Sequence, residues 1–265
     1  MKIKRQYIYA VLFISVVIPL ATGLTFKVRP GPPVKKFYSA VNGLNEGDYA
    51  AVTLSYDPST KAELNPMVIA LCGHLFSRDV KIIMMNPLNN SIGNLGYELI
   101  TRAASLYGKK ENDDYYFLGY VPGEKSALQN MGEDFYSVYS KTFMKAELKD
   151  LPLYRDIKTI ADAKMLIDIS DGNSTVDLLT YVNTKYGVPM AAGTTAIMAG
   201  EYYTYLNSGQ LLGMLGGLRG AAEYETMLGV NGKGRRGMAA QTFAHILVLL
   251  LVLAGNIEYF SGRRK

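Results

Sequence analysis

The stretch GQLLGMLGGLRGAAEYE, residues 209–225, places five glycines within twelve positions, directly after a tyrosine-rich segment. Its reading decides whether the soluble part of the chain ends on a phosphate-cradling loop, a hinge, or a helix built for close approach. A dinucleotide loop needs GxGxxG directly after a strand, because glycines let the backbone bend around a pyrophosphate at a helix N-terminus. No GxG occurs here, and EYYTYLNS before it reads as helix or turn. The spacing predicts a helix: Gly209, Gly213, Gly217 and Ala221 recur every four residues, and Gly216 and Gly220 widen the smooth ridge. Glycine costs about 1 kcal/mol per helical position relative to alanine, so such a ridge implies a close helix crossing, as small-residue faces make in membranes. The alternative is a flexible connector into the apolar run that follows.

That run, Gly237 to Ile257, and an earlier one, Gln6 to Phe26, each hold 21 residues without Asp, Glu, Lys or Arg. About 20 apolar residues cross a hydrocarbon core of about 30 Å. Two transmembrane helices around one soluble domain are expected. A cleaved signal peptide is the alternative for the first run, with Ala21 to Gly23 as a small-residue cleavage site. The expected divisions are a first helix in 1–26, a juxtamembrane linker 27–44, and an α/β domain 45–228. A basic linker 229–236, a second helix 237–260 and a basic tail 261–265 complete the chain. Residues 45–228 carry 15 Lys and Arg against 22 Asp and Glu, a charge of about −7, although the whole chain is +5. The domain thus lacks the basic footprint of a nucleic-acid binder, and its partner is expected to be the lipid bilayer. The tails and the domain-side flanks are almost equally basic, so orientation leans on MKIKR: termini cytoplasmic, domain outside the cytoplasm. Cys72 is the only cysteine, which leaves no intrachain disulfide.

Between the apolar runs, short strands alternate with helices. Strands are expected at 50–55, 80–85, 114–121, 165–169 and 188–192, and helices at 61–77, 92–107, 124–140 and 176–186. Residues 141–163 read as an excursion with one short helix. The expected fold is α/β: a five-stranded, mainly parallel, doubly wound sheet of flavodoxin or Rossmann type, flanked by two transmembrane helices.

Ligands of such sheets bind outside the carboxyl ends of the strands. The loops there are SYDPST (55–60), NPLNNS (86–91), YVPG (120–123), SDGNST (170–175) and GTTA (193–196). Candidate ligand-binding residues are Ser55, Asp57, Ser59, Asn86, Asn89, Ser170, Asp171, Ser174, Thr194 and Thr195, although the same residue types cap helices and make turns. Asp57, Asp168 and Asp171 could act as a general base, bind a metal, or accept hydrogen bonds from a sugar or amine. Neither histidine joins them: His74 reads as a packing residue, and His245 lies in the second apolar run. Gln241 and His245 sit one turn apart and are expected to bond Ser15 or a carbonyl freed by Pro19. Missing are a GxSxG elbow, an HExxH helix, a Walker loop and zinc-ligand spacing, so no cofactor and no metal are expected.

SYDPSTKAELNPM (55–67), GMLGGLRGAAEYE (213–225) and GMAAQTFAHILVLLLVLAGNIEYF (237–260) together resemble a family of bacterial and archaeal two-span membrane proteins. The resemblance covers nearly the whole chain and implies the layout alone, because that family brings no activity, ligand or catalytic residue. A non-catalytic binding or assembly subunit is expected, forming a homo-oligomer or joining a partner membrane protein. A membrane-bound hydrolase or transferase acting on a small ligand is the competing expectation.

Overall fold

A computed structural model describes residues 5–262, so residues 1–4 and 263–265, which include Lys2, Lys4, Arg263, Arg264 and Lys265, lie outside the described residues. The strands are β1 (Tyr49–Ser55), β2 (Lys81–Met85), β3 (Tyr115–Gly119), β4 (Met165–Ser170), β5 (Met190–Thr194) and β6 (Leu211–Gly216). The first helices are α1 (Arg5–Thr22), α2 (Pro32–Asn42), α3 (Lys61–Ser77), α4 (Gly93–Leu106), α5 (Glu124–Met131) and α6 (Phe135–Val138). They are followed by α7 (Pro152–Asp156), α8 (Ser174–Leu178), α9 (Thr184–Tyr186), α10 (Ala196–Asn207), α11 (Gly217–Met227) and α12 (Lys233–Gly262).

All six strands form one parallel sheet in the order β3-β2-β1-β4-β5-β6. Every residue of β1, β3, β4 and β5 is buried, as a sheet covered on both faces requires. Helices α2, α3, α4 and α11 pack on one face around Val52, Leu54, Phe117 and Ile167. The segments from α5 to α10 cover the other around Ala51, Ile83, Tyr116 and Leu166.

The sheet has six strands where five were expected. The sixth, β6, is LLGMLG from the glycine-rich stretch, so residues 209–225 are strand, turn and helix rather than one ridged helix. Gly209 (φ +82°) ends the turn out of α10 with open space around it, and Gly217 (φ +62°) makes the bend from β6 into α11. Gly213 lies in mid-strand, where an added Cβ would fall 2.1 Å from the backbone nitrogen of Phe37. Gly216 faces the Ala199 methyl, and a Cβ on Gly220 would fall 2.8 Å from the Leu215 carbonyl carbon. These glycines therefore let α2 lie on β6, and α11 fold back along it, at backbone distance.

Residues expected to form a juxtamembrane linker instead form α2, whose Val34, Phe37 and Val41 are buried in the core. The expected helix over 124–140 is split into α5 and α6. The excursion at 141–163 holds α7 between two 3₁₀ turns (Leu148–Asp150 and Ile160–Asp162), with Leu148, Leu153, Ile157 and Ile160 buried against the sheet. Pro152 starts α7, at the position where a missing N–H is not needed.

Both terminal helices are long and apolar enough to cross a membrane. They pack against each other, with the rings of Phe26 and Phe243 5.9 Å apart at the base of the pair. The junction is hydrogen-bonded: Glu225 accepts from the backbone N–H groups of Gly234 (2.9 Å) and Arg235 (2.7 Å), capping α12. Buried Arg235 donates to the carbonyls of Phe26 (3.1 Å) and Val230 (3.0 Å), tying the segment after α1 and the turn before α12 to the start of α12. Gln241 and His245 do not make the expected bonds. Ser15 donates to its own helix at Leu12, and both polar side chains point outward, exposed.

Candidate functional site at the carboxyl edge

Strand order reverses between β1 and β4, so the crevice favoured by ligands in doubly wound sheets lies outside the ends of these two strands. The loops there are laced together by carboxylates. Asp171 Oδ2 accepts from the Asp57 backbone N–H (2.8 Å) and the Thr60 hydroxyl (2.9 Å), joining the loops after β4 and β1. Asp57 Oδ1 accepts from Ser91 (3.1 Å), which adds the loop after β2.

Asp168 sits below them, fully buried and in register with Thr53 of β1. It accepts from the hydroxyls of Thr53 (2.6 Å), Ser174 (2.7 Å) and Thr175 (2.7 Å), while Ser170 contacts Thr175 at 3.1 Å. Burial pushes its carboxyl above the usual range, and these hydroxyl bonds pull against that shift. All three aspartates singled out in the sequence thus hold the edge together.

A cleft of about 290 Å³ opens above this network, lined by Ser55, Leu88, Asn89, Gly172, Asn173, Ser174 and Asp177. Among the described residues, the Ser55 hydroxyl is buried there without a hydrogen-bond partner. Asp177 meets Lys125 across the rim at 3.2 Å. Asp171, next to Gly172 of the lining, and Asp57, bonded to Ser91 two residues from Asn89, add two carboxylates in the adjoining loops against the single Lys125 charge.

Of the sequence candidates, the structure brings Ser55, Asn89 and Ser174 to the cleft wall, with Asp57 and Asp171 at its edge. Ser59 is exposed in the turn after β1. Asn86 is buried beneath the loop after β2, donating to the Asn89 carbonyl (2.7 Å), while its Oδ1 has no partner among the described residues. Ser170 is turned to Thr175, and Thr194 donates to the Ser170 carbonyl (3.0 Å). Thr195 caps α10. Sequence reasoning passed over Asn173, although it lies in the quoted SDGNST loop. It also missed Asp177, one helical turn further on, which the period of α8 would have placed near the same mouth.

The glycine turn after β6 offers no phosphate cradle. The Glu63 carboxylate accepts from the Ala196 backbone N–H (2.8 Å) and lies 2.7 Å from where a Gly217 Cβ would be, putting negative charge where a phosphate would rest. His74 packs as expected: its Nδ1 lies 2.7 Å from the Tyr224 hydroxyl, and its ring stacks on Tyr38. Burial, and secondly the charge of Arg78, lower its pKa to about 4, which keeps the ring neutral.

Fold and cleft together define a class: a doubly wound α/β domain with an acceptor-rich cleft at its switch point, joined to a packed pair of apolar helices. Within that class, comparison with family models, with curated proteins and with solved structures finds no match. The resemblance to two-span membrane proteins rests on its residues alone.

Proposed function

We propose that this protein is a membrane-anchored binding subunit whose domain takes a small amine or hydroxyl-rich ligand in the switch-point cleft. The buried, unpartnered Ser55 hydroxyl carries the reading, because a buried polar group without a partner costs about 1–3 kcal/mol and a ligand can supply the missing bond. The acidic mouth favours donors and cations over phosphates. The rim aspartates are occupied as structural acceptors, which supports binding over catalysis. The outward-facing Gln241 and His245 support association with a second membrane helix, since polar groups within a span usually face a partner. The basic first residues support cytoplasmic termini and a domain on the other side.

The test is a thermal-shift screen of the detergent-solubilised chain against amines and polyols. A ligand at about 100 times its Kd stabilises by about 2.7 kcal/mol. Ser55→Ala removes the unpaired hydroxyl, so it should fold at least as stably as the native chain and lose that response. A panel without any hit, or an undiminished response in Ser55→Ala, refutes the proposal. Turnover abolished by Asp57→Asn in a folded protein would establish the hydrolase or transferase reading instead.

A further inference from the structure

The direction in which the terminal helices leave the domain gives the cleft an orientation. Helix α11 turns back along β6 from the carboxyl edge of the sheet, since Gly220 abuts Leu215. Only residues 228–232 separate α11 from α12, and so short a connection makes the two helices antiparallel. Gly234 accordingly abuts Ala221, and Gly237 abuts Leu218. Helix α12 therefore runs with the strands and leaves the domain past their carboxyl ends. Helix α2 gives the same direction independently. The Leu44 carbonyl, just beyond its end, accepts from Arg78 at the amino edge (2.8 Å), so the chain coming from α1 enters at the opposite, carboxyl side.

Height follows from the residues around α12. Arg219, at the carboxyl-edge end of α11, shares a cavity of about 340 Å³ with Lys27, Arg29 and Thr242. From Thr242 to the end of α12 the helix rises about 30 Å, about the thickness of a hydrocarbon core, with Glu258 in the turns nearest its far face. The basic collar then lies at headgroup level. The carboxyl edge lies at the same level, and there Ile197, 86% exposed, opens α10.

We propose that the two terminal helices hold the carboxyl edge of the sheet against the bilayer, so that the switch-point cleft opens onto lipid headgroups and takes the primary ammonium of an aminophospholipid. This rests on the binding reading above and adds where the ligand comes from. Ser55 and the acidic mouth can accept from a primary ammonium, whereas a choline headgroup has no N–H to give. Lys27 and Arg29 stand at the height of the lipid phosphate.

The chain has no tryptophan, so single-tryptophan variants report cleanly. Ile197→Trp, Leu106→Trp at the amino-edge end of α4, and Val252→Trp within α12 are compared in phosphatidylcholine nanodiscs carrying spin-labelled lipids. Headgroup labels should quench position 197 and not 106, and acyl-chain labels should quench 252. Quenching at 106 equal to or above that at 197 overturns the orientation. Absence of quenching at 252 removes the membrane span itself, and the inference with it. A second arm replaces part of the phosphatidylcholine with phosphatidylethanolamine. The melting temperature should rise for the native chain and stay fixed for Ser55→Ala. If soluble ethanolamine stabilises the protein and phosphatidylethanolamine does not, the lipid source is wrong and the binding reading survives. Should neither act, the aminophospholipid inference fails, and the amine and polyol panel decides the binding reading.

Discussion

Gly213→Ala tests the contact that makes the glycine-rich stretch a strand. An alanine Cβ at this position would stand 2.1 Å from the Phe37 nitrogen and 2.3 Å from its Cα, where ordinary contact begins at 3.4 Å. Both obstructing atoms are backbone, so no rotamer change relieves them; α2 must back away from β6 by about 1.3 Å. Overpacking of this kind costs about 1–3 kcal/mol. Losing α2 outright would cost more, because Val34, Phe37 and Val41 are each worth about 1.5–3 kcal/mol when buried. A destabilisation of about 2–4 kcal/mol is expected, intermediate between simple strain and release of the helix. Denaturant unfolding of the detergent-solubilised chain, followed by circular dichroism, measures it. Phe37→Ala should not rescue the variant, since it leaves the clashing atoms in place. Gly200→Ala is the control: it lies inside α10 with open space around its Cβ and should gain about 0.5–1 kcal/mol. A single ridged helix makes the opposite prediction, with Gly213→Ala near neutral or stabilising. If Gly213→Ala unfolds at or above the native denaturant midpoint, α2 does not cross β6 as described.

Two further outcomes follow from buried groups. His74 has a folded pKa near 4 against about 6.5 unfolded, so its contribution is complete above pH 6.5 and is lost as pH falls towards 4. Stability should drop by up to about 3 kcal/mol over that window, and the drop should shrink in His74→Gln; an unchanged pH profile in that variant would refute the assignment. Asp168→Asn replaces one accepting oxygen with an amide donor among hydroxyls that donate to it, so about 2–4 kcal/mol should be lost in a denaturant titration. A loss below about 1 kcal/mol would show that the network does not staple β1 to β4.

Local signals in the sequence determined a good deal. Helix α3 was legible to the residue at 61–77, because an unbroken apolar face lies between a proline-containing turn and the polar Ser77-Arg78-Asp79 stop. The two apolar runs announced α1 and α12 by length and lack of charge. Five strands were readable as short apolar runs between turn residues, and the loops at their ends named the edge where the cleft lies. Tertiary structure decided the rest, for reasons that are not local. LLGMLG has helical glycine spacing, yet it is a strand because β5 pairs with it and the backbone of α2 needs the space that Gly213 leaves. Helix α2 looked like a linker because its eleven residues include two prolines and two lysines, and only the sheet beneath it gives Phe37 somewhere to be buried. The pairing of Thr53 with Asp168 spans 115 residues and exists only because β4 lies beside β1. That adjacency lets the candidate aspartates tie the loops together beside the Ser55 hydroxyl. Strand order arises from long-range packing, which no local window of sequence contains.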